Sequence, residues 1–281
     1  MTLPTIDEER AFGGLRRLYG AQGYERIRAA RVAVVGVGGV GSWAVEALAR
    51  SGVAELVLID LDHVSESNLN RQLQATLPTL GMAKVEALRQ RITLIHPRCR
   101  VRTIEEFVTP ENWPGILGVE GGAVGDAAAV DAVIDACDQS AAKRAMAAWA
   151  LRTRARHVCV GAAGGKQRPQ AVAVDDLSAT THDPLFAGLR QRLRRDGVAA
   201  RQGRIGLRCV YSAEAVQMPM ATLDAGPACE SAAPASMAVP SAPAVARDLS
   251  CHGYGSSVVV TATFGMTAAG ECLRQLLEIS G

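Results

Sequence analysis

The densest group of chemically capable side chains in this 281-residue chain lies in residues 60–72, directly after an apolar segment typical of a buried strand. Arg71 offers a planar guanidinium for phosphate oxygens, and Lys84 adds a cation at the start of the next predicted helix. A solvated loop would explain some of these polar residues. It would not explain their concentration at a strand end, where parallel sheets bind their ligands.

A glycine-rich loop precedes this segment and joins an apolar strand to a helical stretch. It matches the pattern G-x-G-x-x-G, with one further glycine inside it: Gly36, Gly38, Gly39 and Gly41. Such a loop allows a tight turn, a close approach of backbone to phosphate, and free N–H groups at a helix N-terminus. Asp60 follows where the ribose-binding acid of a dinucleotide fold lies. Alone, this pattern predicts nucleotide binding and favours NAD.

The two cations after the second strand change this interpretation. A nicotinamide enzyme has no need of both Arg71 and Lys84 at this position. An enzyme that bends ATP for attack at its α-phosphorus does need both, because negative charge grows on the α-phosphate and on the departing pyrophosphate. Asp138, just beyond another predicted strand, could hold a bridging Mg²⁺. The residues therefore favour ATP-dependent adenylation of a carboxylate.

Strands alternate with helices through the first half of the chain, which predicts an α/β fold. We expect a Rossmann-like, doubly wound, mostly parallel sheet with helices on both faces. The predicted organisation is one adenylating domain (1–281) with an N-terminal helical segment (12–30), a nucleotide-binding core (31–165) and an extension on the substrate and dimer side (166–281). Within the extension, residues 225–250 are rich in Ala, Pro and Ser and predict a flexible loop.

Composition excludes several classes of function. The net charge of +2 is too small to attract the protein as a whole to nucleic acid or to a membrane. Seven scattered cysteines without a Cys-x-x-Cys pair argue against a structural zinc site and, with a polar start, predict a cytoplasmic protein. The apolar run at 258–266 is shorter than the roughly 20 residues of a membrane span, so a buried helix is expected and no membrane partner. His96 and His182 are expected in surface or turn positions.

Taken together, the glycine loop, residues 60–72, Lys84 and the Asp135-Ala136-Cys137-Asp138 turn resemble the ubiquitin-activating-enzyme-like superfamily. The similarity spans roughly residues 30–165. It implies a symmetric homodimer, and it implies that Asp60 binds ribose and that Asp138 contacts magnesium or the adenylate. It further implies nucleotide contacts by Asp62, Asn68, Arg71 and Lys84.

Two departures from that superfamily concern zinc and a partner arginine. Its sulfur-carrier adenylyltransferases usually carry paired Cys-x-x-Cys motifs, which are absent here. Many also receive an arginine from the N-terminal segment of the partner subunit, where this chain has glycine. Arg17 is the substitute candidate.

A more specific resemblance runs nearly the whole length and is to the bacterial tRNA threonylcarbamoyladenosine dehydratases. It rests on the F-G-G-x-x-R-L-Y-G start, Asn68-Leu69-Asn70-Arg71-Gln72, Asp183-Pro184-Leu185, Tyr211-Ser212-Ala213-Glu214 and Gly253-Tyr254-Gly255-Ser256. It implies that ATP adenylates the carboxylate of the modified nucleoside in tRNA, and that the nucleoside then closes a ring and expels AMP. A sulfur-transfer partner and a bound alkali cation stay open.

Two further features have competing interpretations. Cys251 lies beside His252 and could accept sulfur or form a thioester, although an ordinary loop thiol is favoured. An arginine-rich stretch could contact tRNA or could be a solvated helix face. Its members are Arg190, Arg194, Arg195, Arg201 and Arg204.

Two alternative functions remain at this stage. An adenylyltransferase that activates a sulfur-carrier C-terminus would share the ATP site and differ in its acyl substrate. A nicotinamide oxidoreductase or a nucleotide-binding module would share only the glycine loop, and nucleotide preference would separate it from the others.

Overall fold

Apolar residues on both sides of the first strand explain why helices cover both faces of the sheet. In the computed structural model, which describes residues 6–118, 130–217 and 254–278, β1 comprises Arg31–Val35. Val32 and Val34 pack in one buried cluster, whereas Ala33 and Val35 pack in another. Because successive side chains of a strand point to opposite faces, β1 requires cover on both sides.

The described strands form one seven-stranded sheet in the order β3-β2-β1-β4-β5-β7-β6. All neighbouring pairs are parallel except β6 and β7 at one edge. This confirms the predicted α/β, mostly parallel, doubly wound fold. The remaining strands are β2 (Glu55–Ile59), β3 (Arg100–Ile104), β4 (Ala132–Asp135), β5 (His157–Val160), β6 (Val172–Asp176) and β7 (Arg208–Ser212).

Helices lie on both faces of this sheet. They are α1 (Glu8–Ala29), α2 (Gly41–Arg50), α3 (Lys84–Ile95), α4 (Ser140–Thr153), α5 (Pro184–Arg195) and α6 (Val258–Leu277). The apolar α6 packs on α2, where a Cβ on Gly265 would come 2.4 Å from the carbonyl oxygen of Val40. On the opposite face, α4 packs against α5.

The strand order reverses between β1 and β4, and this creates a crevice at the carboxyl edge of the sheet. The chain builds β1, β2 and β3 in one direction and then continues from β4 in the other. Val35 pairs with Ile59 on one side and with Asp135 on the other, so the three strands end at the same level. Ligands of doubly wound sheets bind at such a switch point.

The structure extends the first helix and confirms the last one. Helix α1 begins at Glu8, earlier than residue 12, because the Asp7 carboxylate accepts hydrogen bonds from the N–H groups of Glu9 and Arg10. The apolar run at 258–266 is the start of α6, as predicted. Among the described residues, no helix combines the length and apolarity that crossing a membrane requires.

The part of the chain after residue 165 shares the sheet of the earlier part. Strands β6 and β7 extend it beyond β5, and α6 returns to pack on α2. The loop predicted at 225–250 and the thiol of Cys251 lie outside the described residues.

The expectation for one histidine holds only in part, since His96 begins a turn, in which its carbonyl accepts from the Cys99 N–H at 2.9 Å, but is not at the surface. His182 is exposed, as expected, but His96 is only 1% exposed. It ends α3 beneath α1, where its ring lies 4.7 Å from that of Phe12 and its Nε2 lies 3.0 Å from Nη1 of Arg28. The sequence motif His-Pro suggested a turn, but the burial of the His96 side chain results from the packing of α1, which the motif does not indicate.

Candidate active site

A cleft of about 490 Å³ opens at the switch point, and we call it the switch-point cleft. Its walls come from parts of the chain that are distant in sequence. They include the glycine loop, polar residues of the 60–72 segment, the start of α3, the turn after β4 and the segment after β5. The predicted site residues that line it are Gly36, Gly38, Gly39, Asp60, Asp62, Asn68, Arg71, Lys84 and Asp138.

The glycine loop owes its shape to two close backbone contacts. Gly36 has φ of 80°, and a Cβ there would lie 2.9 Å from the backbone nitrogen of Cys137. A Cβ on Gly41 would lie 1.9 Å from the carbonyl oxygen of Gly36, so that position also requires glycine. Gly38 and Gly39 line the cleft, whereas Gly41 begins α2 behind it. Gly41 therefore shapes the loop and leaves the N-terminus of α2 accessible.

Asp60 ties the glycine loop to the polar segment that follows β2. Its carboxylate accepts hydrogen bonds from the backbone N–H of Val37 at 2.8 Å and of Asp62 at 2.9 Å. Burial raises the pKa of Asp60, and the nearby Lys84 ammonium opposes that rise. Each oxygen keeps further acceptor capacity for a hydroxyl group.

Lys84 brings a buried cation to the cleft. Its side chain is 8% exposed and its Nζ lies 2.7 Å from Oδ2 of Asp62, whose side chain is 54% exposed. The backbone N–H of Lys84 also donates to the Asp62 carbonyl, at 3.0 Å. Because Lys84 is the first residue of α3, its charge adds to the positive end of that helix.

Arg71 and Asn68 are fixed by the short turn that contains them. Nη1 of Arg71 donates to the Ser67 carbonyl at 2.6 Å and to Oδ1 of Asn70 at 2.9 Å. Its own carbonyl accepts from Nε1 of Trp43 at 3.0 Å. Asn68 is buried, and its Oδ1 accepts from the Ser65 N–H at 3.1 Å. In the part of the chain that the structure describes, Nε and Nη2 of Arg71 form no hydrogen bond.

Asp138 presents an exposed carboxylate to the same cleft, from the turn between β4 and α4. It forms no ion pair with any described residue. A lone carboxylate beside phosphate oxygens matches the way proteins hold Mg²⁺, which keeps most of its other ligands as water or phosphate. Among the described residues, no group of three His, Cys, Asp or Glu side chains could hold a metal by itself.

The turn that carries Asp138 rests on an ion pair that sequence reasoning missed. Nζ of Lys143 lies 2.8 Å from Oδ1 of Asp135, and both side chains are fully buried. Oδ1 of Asp135 also accepts from the N–H of Cys137 at 3.3 Å. Burial lowers the pKa of Lys143, but the Asp135 carboxylate outweighs it and the pKa is raised, so the pair stays charged. The only sign of this ion pair in the sequence was a lysine inside an Ala-rich helix.

Three further buried charges without a predicted role lie behind the far side of the cleft and do not line it. Asp183 caps α5, and its Oδ2 accepts from the N–H of Ala162 at 2.9 Å, which fixes the segment after β5. Lys166 donates to the carbonyls of His182 and Glu214. Asp183 and Glu214 lie in two of the sequence motifs on which the resemblance to the dehydratases rests. The sequence therefore singled out these motifs, but the spacing of the two residues did not indicate a function for them.

Several predicted residues do not reach this cleft. Arg17 is exposed on α1 and is absent from the cleft wall of its own chain. Arg190 donates to the carbonyls of Leu177 and Thr180, at 2.9 and 3.1 Å, so its guanidinium holds the turn before α5.

The other arginines of that stretch lie at the end of α5 and in the loop after it. Nη2 of Arg194 donates to the Gly203 carbonyl at 3.1 Å, and Arg195 pairs with Asp196 at 3.4 Å. Arg201 is exposed and has no ion pair among the described residues. Arg204 lies 3.9 Å from Asp176.

The cleft therefore presents two cations, a helix N-terminus and the exposed carboxylate of Asp138 to the same space, a combination that suits a polyphosphate with a metal ion. A model of the ThiF family matches residues 13–280 of the chain. The chain belongs to the ThiF family.

Within that family, this ThiF protein is 39% identical over 269 residues to the tRNA threonylcarbamoyladenosine dehydratase of Escherichia coli (strain K12). The match covers 95% of this chain and 93% of the relative. A dehydratase of the same name from Haemophilus influenzae is 36% identical over 272 residues, with 96% and 94% covered. The predicted resemblance to the tRNA threonylcarbamoyladenosine dehydratases is confirmed.

Solved structures agree with the sequence comparison. The Escherichia coli dehydratase TcdA in complex with ATP has a TM-score of 0.78 to this ThiF protein and is 36% identical, with 98% of this chain and 97% of TcdA covered. Its complex with AMP gives the same values. The fold is that of a family member whose solved structures are complexes with ATP and with AMP.

Proposed function

We propose that this protein is an ATP-dependent tRNA threonylcarbamoyladenosine dehydratase. The observation that carries the proposal is the similarity to the Escherichia coli enzyme, which extends over 95% of the chain and includes both walls of the switch-point cleft. The ATP and AMP complexes of TcdA support the same nucleotide chemistry. The comparisons favour this tRNA substrate over a sulfur-carrier protein, and the pair of cations speaks against a nicotinamide cofactor.

The reaction proceeds in two displacements. A carboxylate oxygen of the modified nucleoside attacks the α-phosphorus of ATP, the bond to the β-phosphate oxygen breaks, and pyrophosphate leaves. A neighbouring atom of the same nucleoside then attacks the acyl carbon, loses its proton, and expels AMP. The net change is the loss of one water, coupled to conversion of ATP to AMP and pyrophosphate. Because the second attack is intramolecular, positioning replaces a protein nucleophile.

Different residues of the cleft would have different roles in this reaction. Arg71 and Lys84 would stabilise the charge that grows on the α-phosphate and pyrophosphate, together with the N–H groups at the start of α2. Asp60 and Asp62 would bind the ribose side, and Asn68 a phosphate oxygen. Asp138 would hold a magnesium ion, which neutralises phosphate charge when bound.

The proposal extends to the assembly of the enzyme. A homodimer would place Arg17 of one subunit at the cleft of the other. The exposed Arg195, Arg201 and Arg204 would contribute to tRNA binding. We place the enzyme in the cytoplasm, where its tRNA substrate is made. A bound alkali cation and a sulfur-transfer partner remain separate hypotheses, to be tested by adding each to the purified enzyme.

The proposal is tested by nucleoside mass spectrometry of tRNA incubated with purified protein and ATP. The expected product is the modified nucleoside lighter by one water, with AMP and pyrophosphate formed in equal amounts. Arg71→Ala and Lys84→Ala should each lower the rate at least about 100-fold, since each removes a charge from the transition state. Arg89→Ala is the matched control, because Arg89 is exposed on α3 and pairs with Glu86 outside the cleft. Full activity in both cleft variants contradicts the assignment.

A further inference from the structure

A buried lysine lies behind one side of the switch-point cleft and takes no part in the proposed chemistry. Lys166 is 3% exposed, and its Nζ donates hydrogen bonds to the carbonyl of His182, at 2.9 Å, and to the carbonyl of Glu214. Burying an ammonium group is unfavourable unless it gains partners, and an apolar side chain would avoid that cost. A lysine at this position therefore calls for an explanation.

Lys166 joins three segments of the chain that are distant in sequence. It belongs to the segment after β5, whereas His182 belongs to the turn before α5 and Glu214 to the segment after β7. All three segments contribute residues to one side of the switch-point cleft, which we call the β5 side. The β5 side is defined by residues 161–164, Pro184, Leu185 and Val216.

Two buried carboxylates strengthen the junction around Lys166. Oδ2 of Asp183 accepts from the N–H of Ala162 at 2.9 Å, which ties the turn before α5 to the segment after β5. Oε2 of Glu214 accepts from the two backbone N–H groups that follow Lys166, at 3.0 and 2.9 Å. Burial lowers the pKa of Lys166, and the charges of Asp183 and Glu214 oppose that shift. One cation and two anions therefore hold the three segments together.

The turn before α5 has a strained backbone that Lys166 helps to hold. His182 has φ of 55°, in the left-handed region that residues with a side chain adopt only rarely. Such conformations persist where surrounding contacts fix them. The hydrogen bond from Lys166 fixes the His182 carbonyl, and the next residue, Asp183, caps α5. Loss of the ammonium would therefore loosen the start of α5, where Pro184 and Leu185 line the cleft.

The β5 side suits the modified nucleoside better than the phosphates of ATP. The proposed phosphate-binding groups follow β1 and β2, and they are the glycine loop, Arg71 and Lys84. Strand β4 separates β5 from β1, which places the ends of these two strands about 10 Å apart. None of the residues that define the β5 side is charged. The uncharged base of the nucleoside can occupy this side while its carboxylate reaches the α-phosphate near β1.

We propose that Lys166 is a positioning residue for the β5 side of the cleft, and that this side binds the modified nucleoside of the tRNA. The second part rests on the proposed function. Lys166 does not line the cleft, so it would contact neither ATP nor the nucleoside. Its ammonium acts through the three segments that it joins. Loss of the ammonium should therefore impair the use of tRNA and leave ATP binding intact.

The test replaces Lys166 by alanine and supplies the missing group from solution. Lys166→Ala should lower kcat/KM for the tRNA about 100-fold, because the reaction depends on accurate placement of the nucleoside. The Kd of ATP, measured by calorimetry, should stay unchanged. Added n-propylammonium matches the atoms removed from the lysine and should restore most of the activity, whereas n-propanol should not. The matched control is Arg152→Ala, which removes an exposed charge outside the cleft.

Hydrogen–deuterium exchange of the full-length protein gives a measurement that does not depend on activity. In Lys166→Ala, the amides of residues 161–165 and 213–217 should exchange faster, whereas those of the glycine loop and α3 should not. Added n-propylammonium should reverse the change. Faster exchange throughout the protein, or equal rescue by n-propanol, would make Lys166 a general structural residue and overturn the proposal. Exchange and activity equal to those of wild type would overturn it as well.

Dehydration of tRNA by the wild-type protein is measured in parallel. A wild-type protein without this activity overturns the proposed function and the nucleoside assignment, while the exchange pattern still decides the role of Lys166. An active wild-type protein whose Lys166→Ala variant loses ATP binding overturns the inference alone.

Discussion

Asp135 and Lys143 show how a residue outside the ligand's reach can govern the active site. Their ion pair joins β4 to α4 and is fully buried, and Nζ of Lys143 also donates to the Val160 carbonyl on β5 at 2.9 Å. Cys137, on the adjoining turn, has a pKa raised well above its usual value by burial and by the Asp135 carboxylate, so its thiol stays protonated. We therefore assign this cluster to positioning Asp138 and give it no part in nucleophilic chemistry.

Breaking that pair should be costly for stability. Lys143→Met leaves the Asp135 carboxylate buried without a counter-charge, and we expect the free energy of unfolding to fall by about 3–5 kcal/mol in urea denaturation. Adding Asp135→Asn removes the stranded charge while keeping an acceptor for the Cys137 N–H, so the double variant should recover a large part of the loss. A single variant as stable as wild type would contradict the assigned role.

At the scale of elements, α6 is joined to the sheet by a carboxylate as well as by apolar packing. Glu271 on α6 is 6% exposed and accepts from Nε of Arg208 on β7 at 3.0 Å and from Nη2 of Arg274 at 2.6 Å. Burial alone would raise its pKa, but the hydrogen bonds from the arginines dominate and lower it to about 2. The helix that ends the described chain is therefore anchored to the sheet electrostatically.

This anchor predicts a specific acid sensitivity. Because the folded pKa of Glu271 lies below its ordinary value, its contribution to stability is present above about pH 4.5 and is lost as the pH falls toward 2. Glu271→Gln should lower stability at pH 7 and reduce the further loss between pH 5 and about pH 2 relative to wild type. Urea denaturation across this range measures it, with Glu111→Gln as control, because Glu111 is exposed and forms no ion pair with any described residue. Parallel stability curves for wild type and Glu271→Gln would contradict the prediction.

At the scale of the whole molecule, the switch-point cleft is built from nearly the full length of the chain. Its wall runs from Val35 through residues of α3 and the β4–α4 turn to Tyr254 and Thr261. Thr261 belongs to α6, which packs against α2 beside the glycine loop. The region after residue 165 therefore completes the nucleotide-binding half.

The proposed dimer is tested by subunit complementation. If Arg17 acts at the partner's cleft, Arg17→Ala and Lys84→Ala should each inactivate the homodimer. After the two variants are mixed and allowed to exchange subunits, half of the dimers are mixed and each has one intact site. Activity should then return to about a quarter of wild type. A mixture as inactive as the separate variants would remove Arg17 from the site, and a monomer in solution would remove the dimer.

Local patterns in the sequence were sufficient to predict the fold class and the part of the cleft that the glycine loop and the residues after β2 and β4 form. The alternation of apolar strands and helices predicted the parallel sheet, because each strand must be buried on both faces. The glycine loop, Arg71, Lys84 and Asp138 were identifiable because the carboxyl ends of neighbouring parallel strands meet at one edge. Only resemblance suggested the substrate.

The tertiary structure decided which charges face a ligand and which are used internally. Arg190 and Arg201 are equivalent in a sequence reading, yet one holds two carbonyls and the other is exposed. Lys143 looked like an ordinary helix residue and is paired in the core. Such contacts depend on how the helices and strands pack together, so no local pattern encodes them.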